Sequence, residues 1–67
     1  MKLNTAKIDI LLAKKIWTKT MLAEKCGVAR QNISSVLVRG ICEPKTAGKI
    51  AAALEVDVES IIISDPQ

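Results

Sequence analysis

Residues Lys19 to Val38, KTMLAEKCGVARQNISSVLV, carry the pattern on which the fold turns. They divide at Gly27 into two segments of helical character. The first runs to Cys26, with Thr18 placed ahead of it, where a hydroxyl accepts from an otherwise orphan N–H of the opening turn. Gly27 stands where that helix must stop in a left-handed residue, a conformation cheap for glycine and costly for a β-branched side chain. The second segment is predicted to be helical from Arg30 to about Arg39 and to close at Gly40. Ala23 falls where the two helices approach most closely, so its side chain must be small. Leu22, Cys26, Val28, Ile33 and Val36 or Leu37 then fill the wedge between the helices and the core. With those positions turned inward, Arg30, Gln31, Asn32, Ser34, Ser35 and Val38 are left on the outer side of the second helix.

Short helices are expected on both sides of this pair. Asn4 or Thr5 can cap a first helix whose Ile8, Leu11, Leu12 and Ile16 form one apolar stripe, with Lys7, Lys14 and Lys15 on other faces. Pro44 suits the first turn of a fourth helix, where its missing N–H is not needed, and Ala47, Ile50, Ala51 and Leu54 follow at helical spacing. Asp57 can cap a last short turn carrying Ile61 and Ile62. Val56, Val58 and Ile61 to Ile63 favour strands by propensity, but a single short strand without a partner is unstable, so a terminal helix is preferred. The expected fold is therefore all-α, five short helices in one domain spanning residues 1–67, with a helix-turn-helix formed by the second and third.

The chain has 67 residues and a formal net charge of +3. A domain of that size hides only about 60% of its unfolded surface and needs staples or well-packed helices. Two cysteines, no histidine and no C-x-x-C spacing argue against structural zinc, so helix packing must suffice. Neither a signal-peptide layout nor an apolar run of bilayer length is present, which suggests a cytoplasmic protein with reduced thiols. The net charge conceals an asymmetry. All ten basic residues lie between Lys2 and Lys49 against Asp9, Glu24 and Glu43, whereas the rest of the chain carries only Glu55, Asp57, Glu59 and Asp65. A +7 body with a −4 tail points to a polyanionic partner for the body, nucleic acid ahead of membrane, with the tail facing away from it.

The outer face of the third helix favours a duplex. Arginine suits guanine, glutamine and asparagine suit adenine, and serine is compatible with several base edges of the major groove. A merely solvated face more often carries Glu and Lys, and the segment from Arg30 to Arg39 has neither. A carboxylate there would repel phosphate.

Lys19 to Leu54, and more loosely the whole chain, resemble the Cro and phage-repressor-like helix-turn-helix family, the XRE family. The resemblance rests on L-A at 22 and 23, G-V at 27 and 28, I-S at 33 and 34, R-G at 39 and 40, Pro44, K-I-A at 49 to 51 and A-L at 53 and 54. It implies a lambda-repressor-like domain of five helices, a third helix entering the major groove, and binding to paired half-sites as a dimer. It gives base-edge roles to Arg30, Gln31 and Ser35 with Asn32 beside them, and backbone roles to Lys19, Arg39 and Lys45, while Ser34 can reach either a base or a phosphate. The expected function is a sequence-specific transcriptional repressor of phage or mobile-element type. Its homodimer is expected to form through Ile61 to Ile63, which exceed the packing needs of a short terminal turn. The sequence departs from the family pattern in three ways. Ala29 replaces the usual capping Ser or Thr, Ile33 to Gly40 is one residue longer than usual, and Gly48 interrupts the fourth helix, where it permits close approach of a neighbour.

The same residues admit other readings. The alternative is a protein-interaction module on the same fold, an antitoxin, anti-repressor or subunit of a larger complex. Without His, Tyr, a glycine-rich phosphate loop or a nucleophile elbow, no enzymatic arrangement assembles, and no cofactor, metal or small-molecule ligand is implied. Membrane binding through the first helix and Trp17 competes with the core's need for the same stripe. Trp17, the only aromatic residue, is expected to pack on the core and not to stack on a base, Cys26 to fill apolar space, and Cys42 to lie in a loop where a redox role is conceivable.

Overall fold

The computed structural model describes residues 1–63, and local sequence chemistry accounts for most of its boundaries. Four α-helices, α1 (Thr5–Lys15), α2 (Lys19–Cys26), α3 (Arg30–Arg39) and α4 (Pro44–Leu54), are followed by a 3-10 turn at Val58–Ser60. A two-stranded antiparallel ribbon pairs β1 (Lys2–Leu3) with β2 (Ile62–Ile63). Asn4 caps α1 by accepting from the Lys7 N–H at 3.1 Å, and Thr18 caps α2 by accepting from the Met21 N–H at 3.2 Å. Ala29 offers α3 no side-chain cap, which forgoes about 1 kcal/mol. No helix among the described residues is long and apolar enough to cross a membrane.

Each helix ends in a left-handed residue: Ile16, Gly27, Gly40 and Glu55. After α1, α2 and α4 the next residue closes a six-residue ring back to the helix, Trp17 N–H to the Leu12 carbonyl, Val28 to Ala23 and Val56 to Ala51. This is the Schellman arrangement. Gly40 makes the simpler single bond to the Val36 carbonyl at 2.8 Å. Glycine adopts the conformation freely, whereas at Ile16 it costs roughly 1–2 kcal/mol. The left-handed residue also takes Ile16 off the α1 stripe. Ile8 and Leu12 are buried and Leu11 is half-buried, but Ile16 is 86% exposed, correcting the expectation that it joins the core.

The tail forms a 3-10 turn and a strand in place of a fifth α-helix. Met1–Leu3 run between Gly40–Cys42 on one side and Ile62–Ile63 on the other. Lys2 bridges Ile41 and pairs with Ile63, Leu3 donates to the Gly40 carbonyl at 2.7 Å, and Met1 and Cys42 exchange backbone bonds of 2.8 and 2.9 Å. The strand propensity of the tail thus finds its partner at the opposite end of the sequence. Asp57 precedes the turn without a side-chain cap bond. Asp65 lies outside the described residues.

The largest fully buried side chains come from every layer: Ile8, Leu22, Ile33, Ile50, Leu54 and Ile61. Among the described residues no polar or charged side chain is buried. Ala23, 2% exposed, sits on the face of α2 that packs against α3 and α4. Ile61 belongs to this core and is therefore not surplus to it, leaving Ile63 as the exposed member of the terminal trio. Gly48 does not serve close approach, because a Cβ added there meets nothing within 4 Å.

Two substitutions test this packing by urea unfolding. Gly48→Ala is expected to stabilise by about 1 kcal/mol through helix propensity alone. Ile61→Ala is expected to destabilise by about 2–5 kcal/mol, the cost of a core cavity, and a change below 1 kcal/mol would place Ile61 outside the core.

Candidate nucleic-acid interface

α3 places its polar residues through a simple angular rule. Ile33 and Leu37 point into the core, so side chains about half a turn away, centred on Ser35, point outward. Arg30, Gln31, Asn32, Ser35 and Arg39 are all exposed, and Ser34 is half-buried at the margin. Lys19 opens α2 and Lys45 is the second residue of α4, both exposed.

The candidates fall into separate groups. Asn32, Ser35 and Arg39 share a groove of about 370 Å³ between α3 and the segment leading into α4. Its floor includes Val28 and Val36, and its far wall includes Ile41, Glu43 and Thr46. Arg30, Gln31, Ser34, Lys19 and Lys45 do not line this groove. Ile41, Glu43 and Thr46 were not anticipated, because they approach α3 through chain folding that spacing along one helix does not reveal. Val38 lies on the outer side, as its position opposite Ile33 implies, and is 83% exposed.

The start of each helix has an unusual charge arrangement. Backbone N–H groups give a helix N-terminus a partial positive charge that favours acidic side chains. None of the four α-helices has an acidic residue in its first turn, while Lys7, Lys19, Arg30 and Lys45 occupy those turns. Glu43 stands just outside α4 at its N-cap position. The acids collect elsewhere. Glu55 ends α4, about 15 Å along the axis from Lys45, and Asp57 and Glu59 follow around the 3-10 turn.

Trp17 is half-buried against the core, with the Lys15 and Lys25 ammonium groups 5.0 and 5.8 Å from its ring centroid. Such cation–π contacts hold two further positive charges beside the start of α2. Cys42 lies in the segment between α3 and α4 and is buried. Its burial pushes the thiol up from the ordinary value, against opposing effects of the Met1 ammonium and the Ala47 N–H. Cys26 packs against the core, its thiol near the Lys49 carbonyl at 3.7 Å, and is likewise pushed up by burial, with the Lys49 charge opposing. Raised thiols hold little nucleophilic thiolate near neutral pH, which argues against a redox role for Cys42.

Comparison with known proteins returned no matching family model, no matching curated protein and no matching solved structure.

The cysteine environments carry a pH consequence. Because folding raises both thiols, the unfolded chain loses these protons first. Their contribution to stability is intact below about pH 8.5 and is lost as pH rises through the folded values. Above about pH 8.5 the thermal midpoint of the wild type is expected to fall more steeply than that of the Cys26→Ala, Cys42→Ala double variant. Parallel profiles would contradict the assignment.

Proposed function

We propose that this chain is a sequence-specific double-stranded DNA-binding protein of the Cro and phage-repressor-like helix-turn-helix type, acting as a transcriptional repressor. In this reading α2 and α3 form the helix-turn-helix and α3 enters the major groove. The observation that carries the proposal is the run of basic first turns beside the carboxylate-free outer face of α3. A base at a helix N-terminus opposes the helix dipole and forgoes a few tenths of a kcal/mol. A phosphate reverses that balance by meeting both the side-chain cation and the backbone N–H groups. Lys19 and Lys45 are thus suited to hold the DNA backbone together with Arg39, with Ser34 at the margin of the contact. Arg30, Gln31, Asn32 and Ser35 are left to read base edges.

A second copy fits the same reading. Two domains related by a two-fold axis would address half-sites about 34 Å apart. Since Ile61 is buried within its own domain, the outer edge of β2 and the exposed Ile63 are, among the described residues of the tail, the ones suited to pair with a second copy. A sedimentation profile that stays monomeric both alone and on DNA would reject the dimer.

Selection from a random duplex pool, followed by gel-shift titration, tests the proposal directly. Affinity for the selected site is expected to fall steeply with salt as cations on the protein displace counterions. Arg30→Ala or Gln31→Ala should remove about 1–3 kcal/mol of sequence preference, whereas Lys19→Ala should weaken all sequences alike. Lys19→Glu should raise the unfolding free energy by a few tenths of a kcal/mol while weakening DNA binding, because the acid satisfies the dipole that phosphate would otherwise meet. Failure to select any sequence at moderate salt would overturn the proposal. Co-purification of a stoichiometric protein that masks Arg30 and Gln31 would support the interaction-module reading instead.

A further inference from the structure

Val38 stands on the polar face of α3 without a structural reason to be apolar. It follows Gln31 by seven residues and Ser35 by three, so all three share one side of the helix, opposite the buried Ile33 and Leu37. At 83% exposure its isopropyl group gains almost nothing from folding, and a β-branched residue is a mediocre helix former. Its neighbours on that face, Gln31, Ser34 and Ser35, are polar side chains suited first to hydrogen bonding. The major-groove edge of the base pairs displays one apolar group, the C5 methyl of thymine. A helical valine presents two methyls in an almost fixed rotamer, so little side-chain entropy is lost when they are covered.

We infer that Val38 is a specificity-determining residue that packs on the C5 methyl of a thymine in the major groove. The inference rests on the DNA-binding reading above and extends its polar contacts with one apolar one. Position follows from helix geometry. Seven residues at 1.5 Å per residue place Val38 about 10 Å along the helix axis from Gln31, two turns further along the groove. The thymine is therefore expected to lie to one side of the pair that Gln31 reads, within the same half-site.

The test uses the full chain and the duplex selected from the random pool, with each thymine replaced in turn by deoxyuridine, which removes only the methyl. Wild-type protein is expected to lose about fourfold in affinity at one thymine per half-site, the worth of one methyl taken out of water. That thymine should be distinct from the position whose preference Gln31→Ala relaxes and lie in the same half-site. Val38→Ser is expected to bind the thymine and uracil duplexes equally, with the unfolding midpoint and the salt dependence of the wild type. A flat uracil scan with wild-type protein would overturn the inference while leaving sequence-specific binding intact. So would a fourfold loss that persists in Val38→Ser, since another side chain would then read the methyl. If no sequence is selected from the pool, the DNA-binding reading fails and this inference with it.

Discussion

The structure depends on one convergence of aliphatic side chains. Ile8, Leu22, Ile33, Ile50, Leu54 and Ile61 are fully buried, and together they draw on all four helices and the tail. Each contributes on the order of 1.5–3 kcal/mol by leaving water. No disulfide supplements them, the cysteines being free, and the described core holds no polar group that would need a partner. Removing any one layer would expose the others, so the helices are stable because they are packed and not because they are long. Four helices of eight to eleven residues can meet at one centre only if the chain reverses sharply between them, and the left-handed residue after each helix makes that possible.

Much of this was legible in local chemistry. Asn4, Thr18, Gly27, Gly40 and Pro44 act on the backbone within a few residues of themselves, so the helix boundaries they set could be read directly. Ile16 could not be read this way. It continues the apolar spacing of α1 from Leu12, and nothing in its identity signals the left-handed conformation that turns it outward. The tail failed for a different reason. Its strand propensity was visible, but the partner that stabilises a strand lies some sixty residues away at Lys2 and Leu3, beyond the reach of any local pattern. Gly48 suggested a close neighbour where the fold leaves open space.

The candidate site divides along the same line. The exposed positions of Arg30, Gln31, Asn32 and Ser35 follow from helical period once Ile33 and Leu37 are assigned inward. Ser34 sits closer to the core than its polarity implies, because polarity does not measure angle. The groove that joins Asn32, Ser35 and Arg39 to Ile41, Glu43 and Thr46 depends on how the segment after α3 folds back. That path is set by the ribbon, which no residue of α3 encodes. Charge is the more dependable guide here. The separation of bases from acids was countable in the sequence, and in the structure bases stand at both ends of α1, α2 and α3 and at the start of α4, with Glu55 beyond the end of α4.

The ribbon also bears on the order of folding. α2 packs on both its neighbour α3 and the more distant α4, but the pairing of Lys2 with Ile63 closes a far longer loop, nearly the whole described chain. Closing so long a loop costs chain entropy that is recovered only when the rest of the domain is in place. The helical core is thus expected to form first and the ribbon to zip last, close to the native side of the barrier. Weakening the ribbon would then leave the rate of folding almost unchanged and shorten the lifetime of the native state. Were β1 to lift away as well, Gly40–Cys42 would lose their backbone bonds to Met1–Leu3, and the end of α3 would be the first part of the proposed interface to loosen.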